Sequence, residues 1–307
     1  MSSSADIFDR RLIRERRDRK AAGFGAYGFL KAEVAERLAD RLLDISRRFP
    51  SVLDLGCHDG GVGRLLAARE DVELLVSADL SPRMAAQAPG CRVAADEEFL
   101  PFAEASFNLA VSALSLHWVN DLPGALIQIN RALKPDGLFL GAMLGGDTLT
   151  ELRHAMMEAE LAVEPGVAPR VSPFADIRDA GGLLQRAGFA LPVADKERIT
   201  VDYADAFRLM RDLQGMAESN AVLARHKAPL KRRTLLATID AYHDLYGRPD
   251  GRIPATFDIL FLTGWSPHES QQKPLAPGSA TMRLAQVLGA EEKSAGEKTS
   301  PRPWKRP

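Results

Sequence analysis

The stretch that most constrains this chain is Ser51-Val-Leu-Asp-Leu-Gly-Cys-His-Asp-Gly60. Val52, Leu53 and Leu55 read as a short buried strand, and Gly56 predicts a sharp turn after it. Asp59 and Gly60 then open a helix whose expected apolar face is Val62, Leu65 and Leu66. A strand, a glycine turn and a helix start in immediate succession form a cradle for a nucleotide. Glycine lets the backbone approach a ligand, and the N–H groups at a helix start favour a carboxylate or phosphate.

The rest of the chain repeats the alternation. Val34, Leu38, Leu42, Ile45 and Phe49 recur at helical spacing and predict a helix stopped by Pro50. Strand candidates follow at 73–79, 91–95, 106–118 (a strand and the loop beyond it), 138–143, 191–203 and 254–265, which with 51–55 makes seven. Helices are expected at 123–133 and 180–187, an inserted helix and loop at 148–173, and helical stretches across 204–246 with a turn at 214–220. Ser81 and Pro82 predict a helix cap and first turn. Strands alternating with helices call for a mostly parallel sheet with helices on both faces, an α/β fold. The 46% apolar composition supplies a sizeable core, and the net charge of −1 carries no nucleic-acid or membrane signature. No run reaches the length of a membrane span, and Met1–Asp9 lacks the apolar stretch of a secretory signal. Cys57 and Cys91 lack zinc-ligand spacing and read as small apolar residues in a reducing compartment. No metal site is expected. Residues 9–20 carry seven Arg and Lys: either a solvated helix, or an arm that binds a partner or covers a pocket. The expected organisation is an N-terminal helical arm or cap at 1–50, a nucleotide-binding core at 51–143, a C-terminal part with helical lid insertions at 144–285, and a disordered tail at 286–307.

The chemistry is carried by acids at strand ends. Asp54 stands two residues before Gly56, where it repels a pyrophosphate but attracts the amino group of a methionine moiety, which favours S-adenosylmethionine over a dinucleotide. Asp79 ends the second strand candidate, 25 residues after Asp54, and can accept both ribose hydroxyls, with Leu80 beside it. The stretch at Asp54 resembles motif I of class I S-adenosylmethionine-dependent methyltransferases, with its acid and spaced glycines at Gly56 and Gly60. That resemblance implies a seven-stranded Rossmann-like fold whose last strand inserts antiparallel beside the fifth, with lid insertions after strands five and six. One position departs: His58 replaces the middle glycine, and if the backbone needs positive φ there a side chain costs roughly 1 kcal/mol. Asp96-Glu-Glu-Phe-Leu-Pro-Phe102 resembles the segment of those enzymes in which an acid approaches the adenine amine, making Asp96 and its neighbour Glu97 candidates. In open α/β sheets ligands sit outside the carboxyl ends of the strands. Ser112, Leu114, His117 and Trp118 are therefore expected near the reacting group, with His117 as a base or a loop-orienting residue and Trp118 as a packing residue or substrate stacker.

A longer resemblance runs through Ile7-Phe-Asp-Arg10, Ala95–Phe102, Leu114–Pro123, Gly145–Leu149, Asp212–Met216, Gly264-Trp265 and His268-Glu-Ser270. Over roughly residues 5–285 the chain resembles the mitochondrial complex I assembly factors with a methyltransferase fold. This implies modification of a protein, by arginine hydroxylation of a peripheral-arm subunit, and the short N-terminus points to a cytoplasmic bacterial relative. The core is also similar to malonyl-carrier-protein methyltransferases of biotin synthesis. Methyl transfer, arginine modification and a non-enzymatic assembly chaperone are the three functions compatible with these residues.

Overall fold

Seven strands line up in the order β3-β2-β1-β4-β5-β7-β6, running from Cys91–Ala94 (β3) through Leu74–Asp79 (β2), Ser51–Leu55 (β1), Phe107–Ala113 (β4), Leu133–Leu144 (β5) and Ile253–Trp265 (β7) to Ala190–Tyr203 (β6). This computed structural model describes residues 6–272, with Met282 and Gly289. The first five strands are parallel. β7 runs antiparallel to both β5 and β6. Successive strand side chains point to opposite faces, so both faces of the central strands are buried. Val52, Leu138 and Leu140 join one core with Leu30, Val34 and Leu38. Leu53, Phe139 and Met143 join the other with Leu126, Ile129 and Leu184. Asp54 alternates with Leu53 and Leu55 and so shares its face with Val52.

The helices are α1 (Arg10–Lys20), α2 (Phe29–Arg41), α3 (Gly61–Ala67), α4 (Pro82–Ala85), α5 (Leu122–Ala132), α6 (Thr150–Val163), α7 (Ile177–Arg186), α8 (Ala206–Gly215) and α9 (Arg232–Tyr246). Ser81 caps α4 as expected, its Oγ accepting the Met84 N–H at 3.1 Å. α6 follows β5, and α8 and α9 follow β6, the positions anticipated for lid insertions.

Three local expectations are corrected. α2 ends at Arg41 rather than at Pro50, although Leu42 and Phe49 are still buried. Past Arg41 the backbone turns on i→i−3 bonds at Leu42, Leu43 and Ile45, and the apolar contacts of Leu42 and Phe49 hold the segment. β5 starts at Leu133, so the Pro-Asp-Gly turn lies inside the strand, where the register against β4 shifts and Asp136 takes a positive φ of 62°. Leu65 is exposed, because the buried stripe of α3 is Val62 and Leu66, one turn apart. Among the described residues no helix is long and apolar enough to cross a membrane. The expected tail, 286–307, lies outside the described residues apart from Gly289.

Candidate functional site

The turn after β1 is held by one acceptor. The N–H groups of Gly56 and Cys57 both donate to the Ala78 carbonyl, at 2.8 and 3.0 Å, which pins the turn to the end of β2. Gly56 has φ of 67°, and a Cβ there would lie 2.2 Å from the Ser115 side chain, so only glycine fits. His58 also lies in the left-handed region, with φ of 50°. Its N–H donates to Asp79 Oδ2 at 3.0 Å, its ring stacks on Phe24, and it is buried.

Asp54 is buried beneath this turn. Its Oδ2 accepts the Gly63 N–H at 3.0 Å, while Oδ1 has no hydrogen-bond partner. Burial pushes its pKa up to about 7, against the pull of the Gly63 N–H. It opens on a cavity of about 340 Å³ whose walls include Gly56, Cys57 and His58 on one side and Gly28 and Lys31 on the other.

Lys31 closes the far side. Its buried ammonium donates to His58 Nε2 at 2.9 Å, to the Leu114 carbonyl at 3.0 Å and to Glu218 Oε1 at 2.7 Å. An ammonium only donates, so His58 Nε2 is the acceptor and the proton is assigned to Nδ1. Burial, then Lys31 and Arg17, hold the imidazole neutral by lowering its pKa well below the usual range. Glu218 is opposed by burial, yet Lys31 and His117 keep its carboxyl well below the usual range. Its second oxygen accepts from Trp118 Nε1 at 2.9 Å and meets His117 Nε2 at 3.0 Å. Beyond Glu218 lies a second cavity of about 450 Å³, lined mainly by apolar side chains of the insertions, including Leu152, Met156, Phe174, Phe207 and Leu235. The Lys31–Glu218 pair is thus a polar wall between two cavities.

A second cluster lies under α1. Arg17 is 2% exposed; its Nη1 reaches Asp79 Oδ2 at 3.2 Å and Glu97 Oε1 at 3.3 Å, and its Nη2 donates to Ser115 Oγ at 2.9 Å. Arg10 donates to Asp96 and Glu97 and to the Trp118 carbonyl. Burial opposes the ionisation of Glu97, but Arg10 and Arg17 outweigh it and bring its pKa down to about 2. Burial likewise opposes the Arg17 charge, and Asp79 and Glu97 more than restore it.

The residues expected at the site therefore fall into three groups. Asp54, Gly56 and Gly60 gather at the β1–α3 turn, and Gly60 caps α3 with φ of 87°. Asp79, Asp96 and Glu97 come together beneath α1, and Leu80 packs with Phe8, Ile13 and Trp118. His117 and Trp118 share Glu218, with Trp118 edge-on to Phe8. Ser112 is buried with an unpartnered Oγ and lines neither cavity. The sequence raised no expectation for Lys31 or Glu218, while Arg10 and Arg17 belong to the basic stretch expected as a solvated helix or as an arm that binds a partner or covers a pocket. A signal existed for the arginines: Arg10, Ile13 and Arg17 are spaced to share one helix face. None existed for the Lys31–Glu218 pair. Among the described residues no three or more His, Cys, Asp or Glu side chains are grouped to hold a metal ion.

This arrangement of sheet, glycine turn and strand-end acids is that of a methyltransferase domain. A family model of that description matches residues 27–192, and the chain belongs to the methyltransferase-domain family. Within it, the chain is 46% identical to the human mitochondrial arginine-hydroxylase NDUFAF5 over 289 residues, covering 92% of this chain and 83% of that protein. The zebrafish (Danio rerio) counterpart is 45% identical, with 92% and 89% covered. The malonyl-[acyl-carrier protein] O-methyltransferase of Methylovorus sp. is 36% identical over 282 residues, with 87% and 92% covered. Among solved structures, the YcgJ protein of Bacillus subtilis shares the fold with a TM-score of 0.53 at 14% identity, covering 76% of this chain and all but 1% of that one (99%). The Haemonchus contortus phosphoethanolamine N-methyltransferase 2 in complex with S-adenosyl-L-methionine does so with a TM-score of 0.50 at 17% identity, with 83% and 60% covered.

Proposed function

We propose that this protein binds S-adenosylmethionine in the Asp54 cavity and transfers a methyl group to an acceptor carried on a protein. The observation that carries the reading is Asp54, which lines a glycine-turned cavity and keeps a buried Oδ1 without a hydrogen-bond partner. A buried carboxylate oxygen without a donor is costly unless a ligand supplies one, and the cofactor's ammonium group does. Gly56 lies in the lining, while Lys31 and Arg64 place positive charge on it, where a carboxylate is favoured. The bound cofactor supplies an electrophilic methyl. The chain's part is to orient it and bring a nucleophile into line, the dominant requirement of such a transfer. The acceptor enters from the apolar cavity of the insertions, and the Lys31–Glu218 wall separates that cavity from the cofactor's. His117, tied to Glu218, orients the wall, and Trp118 packs beside it. Asp79 and Leu80 serve the ribose end, and Asp96 and Glu97 the adenine end. In this division of labour residues 1–50 cover the site, 51–143 hold the cofactor and 144–285 receive the acceptor.

A protein-borne acceptor is supported by the two sets of relatives, one of them named for arginine and one for an acyl-carrier protein. The resemblance to complex I assembly factors makes a peripheral-arm subunit the first acceptor to test. Hydroxylation, the activity in the name of the human and zebrafish proteins, inserts oxygen and needs an oxidant, whereas methyl transfer needs only donor and acceptor. Cys57 and Cys91 are both free thiols, which suits a reducing, cytoplasmic compartment. The test is calorimetric titration with S-adenosylmethionine. Wild type is expected to bind and Asp54→Ala to bind roughly tenfold more weakly, the worth of about one charge-assisted hydrogen bond. Transfer of labelled methyl to the acceptor then distinguishes methylation from hydroxylation by mass. Absence of binding by wild type at millimolar cofactor overturns the reading.

A further inference from the structure

α1 stands on the carboxylates that a nucleoside would need. Asp79 and Glu97 are both 0% exposed, because the Arg17 guanidinium lies between them. Arg10 pairs with the outer oxygen of Glu97 and with Asp96, whose side chain stays 27% exposed. The Asp54 cavity is lined by none of the three: its walls come from β1 and its turn, α3, α2 with the end of the Ala21–Ala26 turn, and Ala113. A methionine moiety therefore fits as the chain stands, and the ribose and adenine that follow it do not.

Apart from Ile13, which is buried with Phe8, Trp118 and Val222, α1 is held by hydrogen bonds and ion pairs, contacts that the polar groups of a ligand can replace. Asp18 accepts from Ser81 Oγ at 2.5 Å, and Arg16 donates to the carbonyls of Ser219 and Asn220. Its N-terminal approach is stitched to Asn120 and Ala221. At the other end it runs into the turn Ala21–Ala26, which leads to α2. Gly23 and Gly25 lie in that turn, and a Cβ at either would meet nothing within 4 Å. Packing does not require glycine there, whereas a hinge benefits from its wide choice of backbone angles. Arg16 also grips the residues next to Glu218, so movement of α1 reaches the wall between the two cavities.

We propose that α1 is a displaceable strap over the adenosine end of the cofactor site. In the free protein Arg17 and Arg10 occupy Asp79, Glu97 and Asp96; S-adenosylmethionine binds by taking their place, and the strap swings out about Ala21–Ala26. This rests on the cofactor reading above. Release of α1 then loosens Ser219 and Asn220 and opens the wall at Glu218 only when the cofactor is in place, which orders cofactor before acceptor.

Hydrogen exchange on the wild-type chain, with and without saturating S-adenosylhomocysteine, tests this directly. Peptides over 10–20 should exchange faster with ligand while those over 51–63 exchange more slowly. Protection of 51–63 with α1 unchanged or slowed overturns the strap and leaves the cofactor site standing. A second arm locks the strap. Asp18→Cys with Ser81→Cys, in a Cys91→Ser background, joins two positions whose side chains already touch. Oxidised, this variant should bind the ligand at least tenfold more weakly than when reduced. Equal affinity in the two states overturns the proposal. If neither wild type nor the reduced variant binds, the cofactor reading fails and the strap fails with it.

Discussion

Asp54 sits inside a parallel sheet with one carboxylate oxygen bonded to the Gly63 N–H and the other bare. Its folded pKa of about 7 lies above the ordinary carboxylate value. The folded state therefore holds this proton more tightly, and the associated stability is present below about pH 4 and lost as pH rises through 7. Asp54→Asn keeps the shape without the charge. It is expected to melt higher than wild type at pH 8, by about 2–4 °C for each kcal/mol regained, and to gain little at pH 4. The same variant should weaken cofactor binding, so stability and affinity move in opposite directions. At His58 the φ of 50° is strained for any side chain. His58→Ala loses the ring and keeps the strain; His58→Gly loses both. Urea unfolding should find the glycine variant about 1 kcal/mol the more stable of the two. Both residues were legible in the sequence, because an acid inside an apolar strand and a side chain in a glycine pattern are local departures. Lys31 was not legible: it lies in α2, and only folding brings its ammonium to His58.

At the scale of elements, the pairing of α2 with the turn after α8 decides how the two cavities communicate. Lys31 and Glu218 are 187 residues apart in sequence, and both are buried. Glu218→Gln strips a buried ammonium of its counter-charge and weakens the acceptor for His117 and Trp118. A loss of about 3 kcal/mol is expected in urea unfolding. Lys31→Met combined with Glu218→Gln should recover more than half of it, because the uncompensated charge is gone; a double variant worse than the single would show that the wall is held by packing instead. α1 makes the same point about reading charge from sequence. Seven basic residues in a row of twelve look solvated, yet Arg10 and Arg17 share a face with buried Ile13 and turn inward. The helical period was there to be read. What the period could not supply was the acid surface waiting for it.

Over the whole molecule these buried pairs predict a steep acid limb. Glu97 and Glu218 have folded pKa values below their unfolded ones. Their stability is present above about pH 4.5 and is lost as pH falls toward 2. Asp54 works with the opposite sign over higher pH, so circular dichroism along a pH series should show cooperative loss below pH 4.5, and Glu218→Gln should make that limb shallower. The order of strands and helices along the chain and the acids at the strand ends were set by local physics: side-chain periods of two and of about 3.6, glycine turns and helix caps, all within a few residues of one another; the antiparallel last strand followed from the resemblance to the family alone. Which of those acids stays free was decided only in three dimensions. Asp79 and Glu97 meet Arg17 across 62 and 80 residues, while Asp54 meets no cation at all among its hydrogen-bond partners. The sequence by itself determined the fold and the cradle. The tertiary structure decided that one carboxylate faces an open cavity and three lie under a strap, because ion pairing in a buried site depends on what the folded chain brings within a few ångströms, and no short-range pattern records that.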